Sequence, residues 1–293
     1  MGGRRVVVVG AGGQLGTALR RRVPGSGVDV AWLARADLDV ADAAAVASHP
    51  ALRGADVVIN AAAWTDVDGA ETPEGGAGAH RINAVAPGLL ARRCEAEGAF
   101  FVHVSTDYVF GEVAGVPRRP LRADDPTSPD TAYGRTKLAG ERAVLDAAPG
   151  AAIVRTAWVF SGPTQPDAPD FVSTMLRLQA RGGSIDVVDD QHGNPTFVDD
   201  LADALWRLAL RPVAGTFHVT GTGAATWHEV ASEVFALAAG ESARERVRPC
   251  TSEQFPRPAK RPAWSVLDGS AWADAGFEPL PAWRDGLRRA LGA

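Results

Sequence analysis

Short apolar runs recur through the first half of the chain, each ending in small or polar residues. The run at residues 5–9 is β-branched and apolar toward both sides, the pattern of a strand buried on two faces. Similar runs occupy residues 28–33, 55–59, 100–104 and 152–159. Between them, residues 17–22, 80–94 and 133–147 have helical character. Strand and helix in alternation predict an α/β fold with a doubly wound parallel sheet. Beyond Phe160 the rhythm loosens. Residues 161–169 read as a loop, 171–181 as a helix, 185–188 as a strand and 199–210 as a helix. A strand at 216–219, a helix at 227–239 and a Pro-rich basic loop at 256–262 follow.

The ends of the runs carry the first chemistry. The first strand stops in Gly10-Ala11-Gly12-Gly13-Gln14-Leu15-Gly16 before a helix. A strand, a glycine-rich turn and a helix make the Rossmann-like dinucleotide-binding unit. Gly10 allows the tight turn, Gly13 lets the backbone approach a pyrophosphate, and Gly16 allows close helix packing. Gln14 and Leu15 stand at the helix start, where free amides and the helix dipole hold phosphates. The second strand ends near Arg35, which suits the 2′-phosphate of NADPH; Asp37 close by keeps NADH as the alternative. Asp39 and Val40 lie at the adenine edge, or Asp39 caps a helix. Ala61, Ala62 and Ala63 after the third strand let a cofactor lie against the backbone. The expected division is a dinucleotide-binding domain over 1–160, with 184–221 partly returning to its sheet. A smaller C-terminal substrate-binding cap takes 161–183 and 222–293.

Composition narrows the classes. The 293 residues are 46% hydrophobic and 22% charged, with net charge −5 and pI near 5.7. That balance argues against a nucleic-acid partner, which leaves a basic stripe. No run reaches the ~18 apolar residues of a membrane span. The start, Met1 to Arg5, leads into an apolar run too short for a leader. Cys94 and Cys250 have neither disulfide-framework nor metal-ligand spacing, so a reducing cytoplasm is expected and no metal site is assigned.

Scarcity points to one stretch. The chain has only two Tyr, Tyr108 and Tyr133, and only two Lys, one of them Lys137. Tyr133 and Lys137 stand at i and i+4 of a helix and share a face. Thr106 ends the fourth strand. Hydroxyl, phenol and ammonium together form a proton-delivery set. A nearby cation is expected to lower the Tyr133 pKa from near 10 by two to three units, about 3–4 kcal/mol. His103 reads as a packed histidine, and Asn83 as a cap, a packing residue or a bridge to the fourth strand. Residues 112–131 read as a mobile surface loop.

The glycine turn, Asn60-Ala61-Ala62-Ala63, the strand-end Thr106 and Tyr133-x-x-x-Lys137 resemble the extended short-chain dehydrogenase/reductase superfamily. Ser105-Thr106-Asp107-Tyr108-Val109-Phe110, the string from Asp190 to Thr196 and Arg261-Pro262-Ala263-Trp264-Ser265-Val266-Leu267 are similar to the dTDP-4-dehydrorhamnose reductase family, over nearly the whole chain. The resemblance implies NAD(P)H-dependent reduction of the C4 ketone of a dTDP-linked 6-deoxysugar. It implies Tyr133 as proton donor, Lys137 as its partner and, with Tyr133, a cofactor ligand, and Thr106 as the hydroxyl on the ketone oxygen. Val67, Asp107, Tyr108 and Trp158 would line the sugar, Gln191 and Asn194 the nucleotide, and Arg261 the pyrophosphate. Asp170 departs from the family's usual Asn, so either it points away from the pyrophosphate or the substrate sits differently. A related antibiotic-type deoxysugar, or a non-catalytic NADP-binding subunit, are the competing readings. The expected assembly is a monomer or homodimer.

Overall fold

The computed structural model describes residues 3–25, 27–112 and 118–293. Residues 1–2 of the chain start and 113–117 of the expected surface loop lie outside them. Strand β1 (Arg4–Val9) buries Val6 to Val9 almost completely, at roughly 1.5–3 kcal/mol per side chain relative to exposure. Then follow α1 (Gln14–Arg21), β2 (Val28–Leu33), α2 (Ala43–Ser48), β3 (Val57–Asn60), α3 (Pro73–His80), α4 (Ala86–Glu97), β4 (Phe100–Thr106), α5 (Ala132–Ala147) and β5 (Ala152–Thr156). The helix expected from residue 80 starts earlier, at Pro73 behind the cap Thr72, and passes through a π turn at Arg81–Val85.

The later chain contributes β6 (Val159–Phe160), α6 (Phe171–Arg181), β7 (Ile185–Val188), β8 (His192–Gly193), β9 (Thr196–Phe197), α7 (Val198–Leu210), β10 (Gly215–His218), β11 (Ala225–Thr226), α8 (Trp227–Ala239), β12 (Val247–Cys250), α9 (Ser270–Asp274) and α10 (Trp283–Leu291). Six strands form one parallel sheet in the order β10-β5-β4-β3-β1-β2. β1 lies between β2 and β3, so the order reverses there, and the carboxyl ends of β1 and β3 flank the crevice in which such sheets bind ligands.

Alternate residues of each strand face opposite ways, and two cores result. Val6, Val8, Ile59, Val102 and Val154 pack toward α1 and α7. Val7, Val9, Val58, Phe101 and Ile153 pack toward α2, α4 and α5. α7 is fixed to the sheet's first units by Trp206, whose indole N–H donates to the Leu19 carbonyl at 3.0 Å. Arg4 closes the same face by donating to the Ala209 and Leu210 carbonyls at 2.7 and 2.8 Å.

One sequence expectation needs correction. The apolar run 152–159 is not one strand: β5 ends at Thr156, Trp158 takes φ +47°, and β6 pairs with β9 instead of the main sheet. Within 184–221, α7 and β10 reach the main sheet, but β7 pairs with β12 in a separate ladder. No helix among the described residues is long and apolar enough to cross a membrane.

Candidate active site

A cavity of about 650 Å³ opens at the reversal of strand order. Gly10, Gly13, Arg35, Asp39, Val40, Ala61, Ala62 and Ala63 all line it. Gly10 has φ +83°, and a Cβ there would meet the Ala62 nitrogen at 2.5 Å, so only glycine lets the turn pass this close to β3. A Cβ on Gly16 would meet the Gly10 carbonyl at 2.4 Å; its closeness serves the glycine turn itself. Gln14 and Leu15 do not line this cavity. Leu15 packs on the core. The Gln14 amide is drawn away to the Ser161 hydroxyl and the Asp170 carboxylate, at 3.1 and 3.2 Å.

Arg35 is exposed at the cavity. Asp37 turns back and accepts the Ala34 N–H at 2.9 Å. Asp39 does not cap α2, because Asp42 does, accepting from the Ala44 and Ala45 N–H groups. Asp39 instead accepts the Ala41 N–H and pairs with Arg81.

The proton-delivery set comes together at the carboxyl end of β4. Thr131 caps α5 by accepting the Gly134 N–H at 3.0 Å, and this sets the first turn that carries Tyr133. Gly134 is required there, since a Cβ would meet the Tyr108 carbonyl at 2.2 Å. Tyr133 is buried against Val67 and packs edge-on to Tyr108, ring centroids 5.5 Å apart. Burial pushes its phenol up to about 12, opposed by a hydrogen bond with Thr106. The expectation of a lowered Tyr133 is therefore overturned: desolvation dominates and the group is a neutral phenol. Burial also pushes Lys137 down to about 8, opposed by the charge of Glu141, and its Nζ donates to the Val104 carbonyl at 2.7 Å. The Thr106 hydroxyl donates to Asp107 Oδ1 at 3.0 Å. Asp107 is buried, which raises its carboxyl to about 6, opposed by hydrogen bonds with Ser265 and Thr106.

Beneath this set lies a buried ion pair. Glu141, one turn beyond Lys137, accepts from Ser105 and binds Arg155 of β5 at 2.8 Å. Arg155 also donates to the Ala123 carbonyl at 3.0 Å, which ties the loop after β4 to the sheet. Asn83 is buried in the π turn and exchanges hydrogen bonds with the Trp64 backbone at 2.9 and 3.1 Å, and its amide donates to Thr136 at 3.2 Å. It thus bridges the crevice loop to α5, not to β4. His103 is packed as expected, stacked on Phe101 beside Asn60, and burial holds it well below its ordinary value.

The residues assigned to the substrate separate into three places. Val67, Thr106, Asp107, Tyr108 and Tyr133 gather, as above. Trp158 stands with Trp227 and Phe171 on a second cavity of about 250 Å³, its ring stacked on Trp227 at 3.7 Å. The other three are committed elsewhere. The Gln191 amide donates to Ser252 at 2.8 Å. Asn194 is a staple: its amide N–H donates to the Gly223 carbonyl and its oxygen accepts the Leu267 N–H. Arg261 holds Asp68 through both guanidinium nitrogens, at 2.9 and 3.0 Å. Asp170 lines that second cavity with Trp158, but its carboxylate is already engaged. It caps α6 and accepts from the Ser161 and Gly162 N–H groups.

Sequence reasoning missed Arg81, Asp68, Glu141 and Trp227. Glu141 had a signal, since Tyr133, Lys137 and Glu141 follow at i, i+4 and i+8 on one helix face. Trp227 follows Thr226, whose capping box with Glu229 announces a helix start but not the stack on Trp158.

Comparison with known proteins adds the context. The family model described as the RmlD substrate binding domain matches residues 4–293. A dTDP-4-dehydrorhamnose reductase of Mycobacterium tuberculosis is 48% identical over 297 residues, covering 100% of this chain and 95% of that protein. A probable dTDP-4,6-dihydroxy-2-methyloxan-3-one 4-ketoreductase of Streptomyces antibioticus is 46% identical over 289 residues, covering 98% and 94%. The crystal structure of dTDP-4-dehydrorhamnose reductase from Bacillus anthracis in complex with NADP superposes with TM-score 0.90 at 32% identity, covering 99% of each chain.

Proposed function

The chain belongs to the RmlD substrate binding domain family, and from that premise we propose that it reduces the C4 ketone of dTDP-4-dehydro-L-rhamnose with NADPH, giving dTDP-L-rhamnose. It is an NAD(P)H-dependent oxidoreductase acting on a nucleotide sugar. The observation that carries the finer reading is the meeting of Thr106, Tyr133 and Lys137 at the carboxyl end of the sheet that also bears the glycine-lined cavity. The cavity fits a dinucleotide: Gly10 leaves no room for a Cβ, and Arg35 supplies a cation where a 2′-phosphate would lie.

When bound, the reduced nicotinamide supplies the hydride; the protein manages the proton. Hydride arriving at a ketone carbon leaves charge on oxygen. Tyr133, held as a neutral phenol by burial, carries its proton throughout the neutral range and gives it to that oxygen. Thr106 turns its proton from Asp107 to the same oxygen and supplies a fixed hydrogen bond where the charge grows. Lys137, anchored on the Val104 carbonyl, holds a positive charge on the same helix and favours the phenolate left when Tyr133 gives up its proton. Val67 and Tyr108 exclude water from the phenol. The segments 161–183 and 222–293 act in this reading as the cap over the sugar nucleotide.

Turnover of dTDP-4-dehydro-L-rhamnose, followed by loss of the nicotinamide's near-ultraviolet absorbance and by NMR of the product, tests the reading. Failure to consume that substrate would sink it. Tyr133→Phe is expected to bind NADPH normally and to lose at least ~10²-fold in turnover; near-normal turnover would remove Tyr133 from the mechanism. A second reading, the same reduction on a related deoxysugar, is favoured by the likeness to the Streptomyces antibioticus protein. The same NMR assay with that class of sugar separates the two.

A further inference from the structure

The charged residues lining the glycine-bordered cavity are Arg35, Asp39 and Arg81. Arg35 approaches from the end of β2. Arg81 approaches from the opposite wall, where Gly78 and Ile82, one turn before and one residue after it, also face the cavity. Arg81 opens the π turn, an irregularity that re-aims side chains on an otherwise regular helix. Its guanidinium is parked on Asp39, Nη2 to Oδ2 at 3.0 Å. The other Asp39 oxygen accepts the Ala41 N–H at 3.0 Å, which fixes the carboxylate in place.

We propose that Arg81 is a second determinant of cofactor choice, closing on the adenosine 2′-phosphate from the helix side while Arg35 meets it from the strand side. The proposal rests on the NADPH reading above. The Arg81–Asp39 pair is more than half exposed on both sides, and such pairs contribute little in water. A phosphate monoester carries nearly two negative charges at neutral pH and three acceptor oxygens. It therefore outcompetes Asp39 for the guanidinium at small cost. A plain ribose 2′-hydroxyl has no charge to draw Arg81 away and offers its proton to a carboxylate instead, so NADH leaves the Arg81–Asp39 pair intact. Asp37, the other acid near the end of β2, is turned onto the Ala34 N–H and does not line the cavity.

Calorimetric titration of the full chain with NADP⁺, NAD⁺ and 2′,5′-ADP tests this in the wild type, Arg35→Gln, Arg81→Gln and the double variant. Arg81→Gln is expected to weaken NADP⁺ and 2′,5′-ADP about tenfold and to change NAD⁺ by less than about twofold. The double variant is expected to lose more than either single change. The side chain is exposed, so the variant's melting temperature is expected to match the wild type, and the ratio of the two affinities is the readout. Equal losses for NADP⁺ and NAD⁺ in Arg81→Gln, or no loss for either, would overturn the role of Arg81. A wild type that does not bind 2′,5′-ADP would instead reject the NADPH reading beneath it.

Discussion

Lys137 shows how one residue can serve chemistry and oppose folding. Its fall from 10.5 to about 8 reflects burial that the Glu141 charge only partly offsets, and corresponds to roughly 3 kcal/mol at neutral pH. The unfolded chain binds this proton up to about pH 10.5, the folded one only up to about pH 8. The penalty is thus complete below pH 8 and fades as the pH rises to 10.5. Lys137→Met is expected to lose turnover yet gain ~1–2 kcal/mol in urea unfolding at pH 7, a gain that shrinks toward pH 10.5. A variant less stable than the wild type at pH 7 would show that the Val104 hydrogen bond outweighs desolvation. The placing of Tyr133 and Lys137 on one buried helix was legible because the helix period puts i and i+4 on one face. The Tyr133 pKa was not, because burial dominates it and burial belongs to the folded chain. Asn194, Gln191 and Arg261 were legible as polar residues near the site, but their hydrogen bonds go to Gly223, Ser252 and Asp68, distant in sequence.

At the scale of elements, the break between β5 and β6 matters most. Five strands of the main sheet could be read from apolar runs because parallel strands are buried on both faces. The break could not, since Ala157-Trp158-Val159 continues the apolar run without a glycine or proline. Trp158 at φ +47° is strained for a bulky side chain, and it is held by its stack on Trp227 and by the backbone of β8. The two-residue strands β8, β9 and β11 are too short to carry a period of their own. A Cβ on Gly193 would lie 2.4 Å from the Trp158 ring. Gly193→Ala is therefore expected to displace Trp158 and raise KM for the nucleotide sugar several-fold, with NADPH affinity unchanged. An unchanged KM would take the Trp158 ring off the substrate path.

At the scale of the molecule, the crevice and the C-terminal loop meet through one acid. Asp68 accepts from Arg261 and from the Ala259 N–H, with Arg257 at 3.4 Å. If Arg261 serves a diphosphate, the ligand must displace Asp68. Asp68→Asn is expected to tighten dTDP binding about three- to tenfold at low salt, and less at high salt as screening grows; unchanged or weaker binding would place Arg261 outside the diphosphate site. The alternation of the first 160 residues made the parallel sheet legible, but that half is not self-sufficient. The face of the sheet bearing Val6, Val8, Val102 and Val154 is covered by α7, and the edge beside β5 is paired only by β10. During synthesis, a chain paused near residue 160 would present an apolar face covered only in part, by α1, and an unpaired strand edge together, two features that invite association with other chains. The enzyme must therefore complete more than two-thirds of its length before its first domain can close, and a gene cut at the apparent boundary would yield a fragment in need of a chaperone.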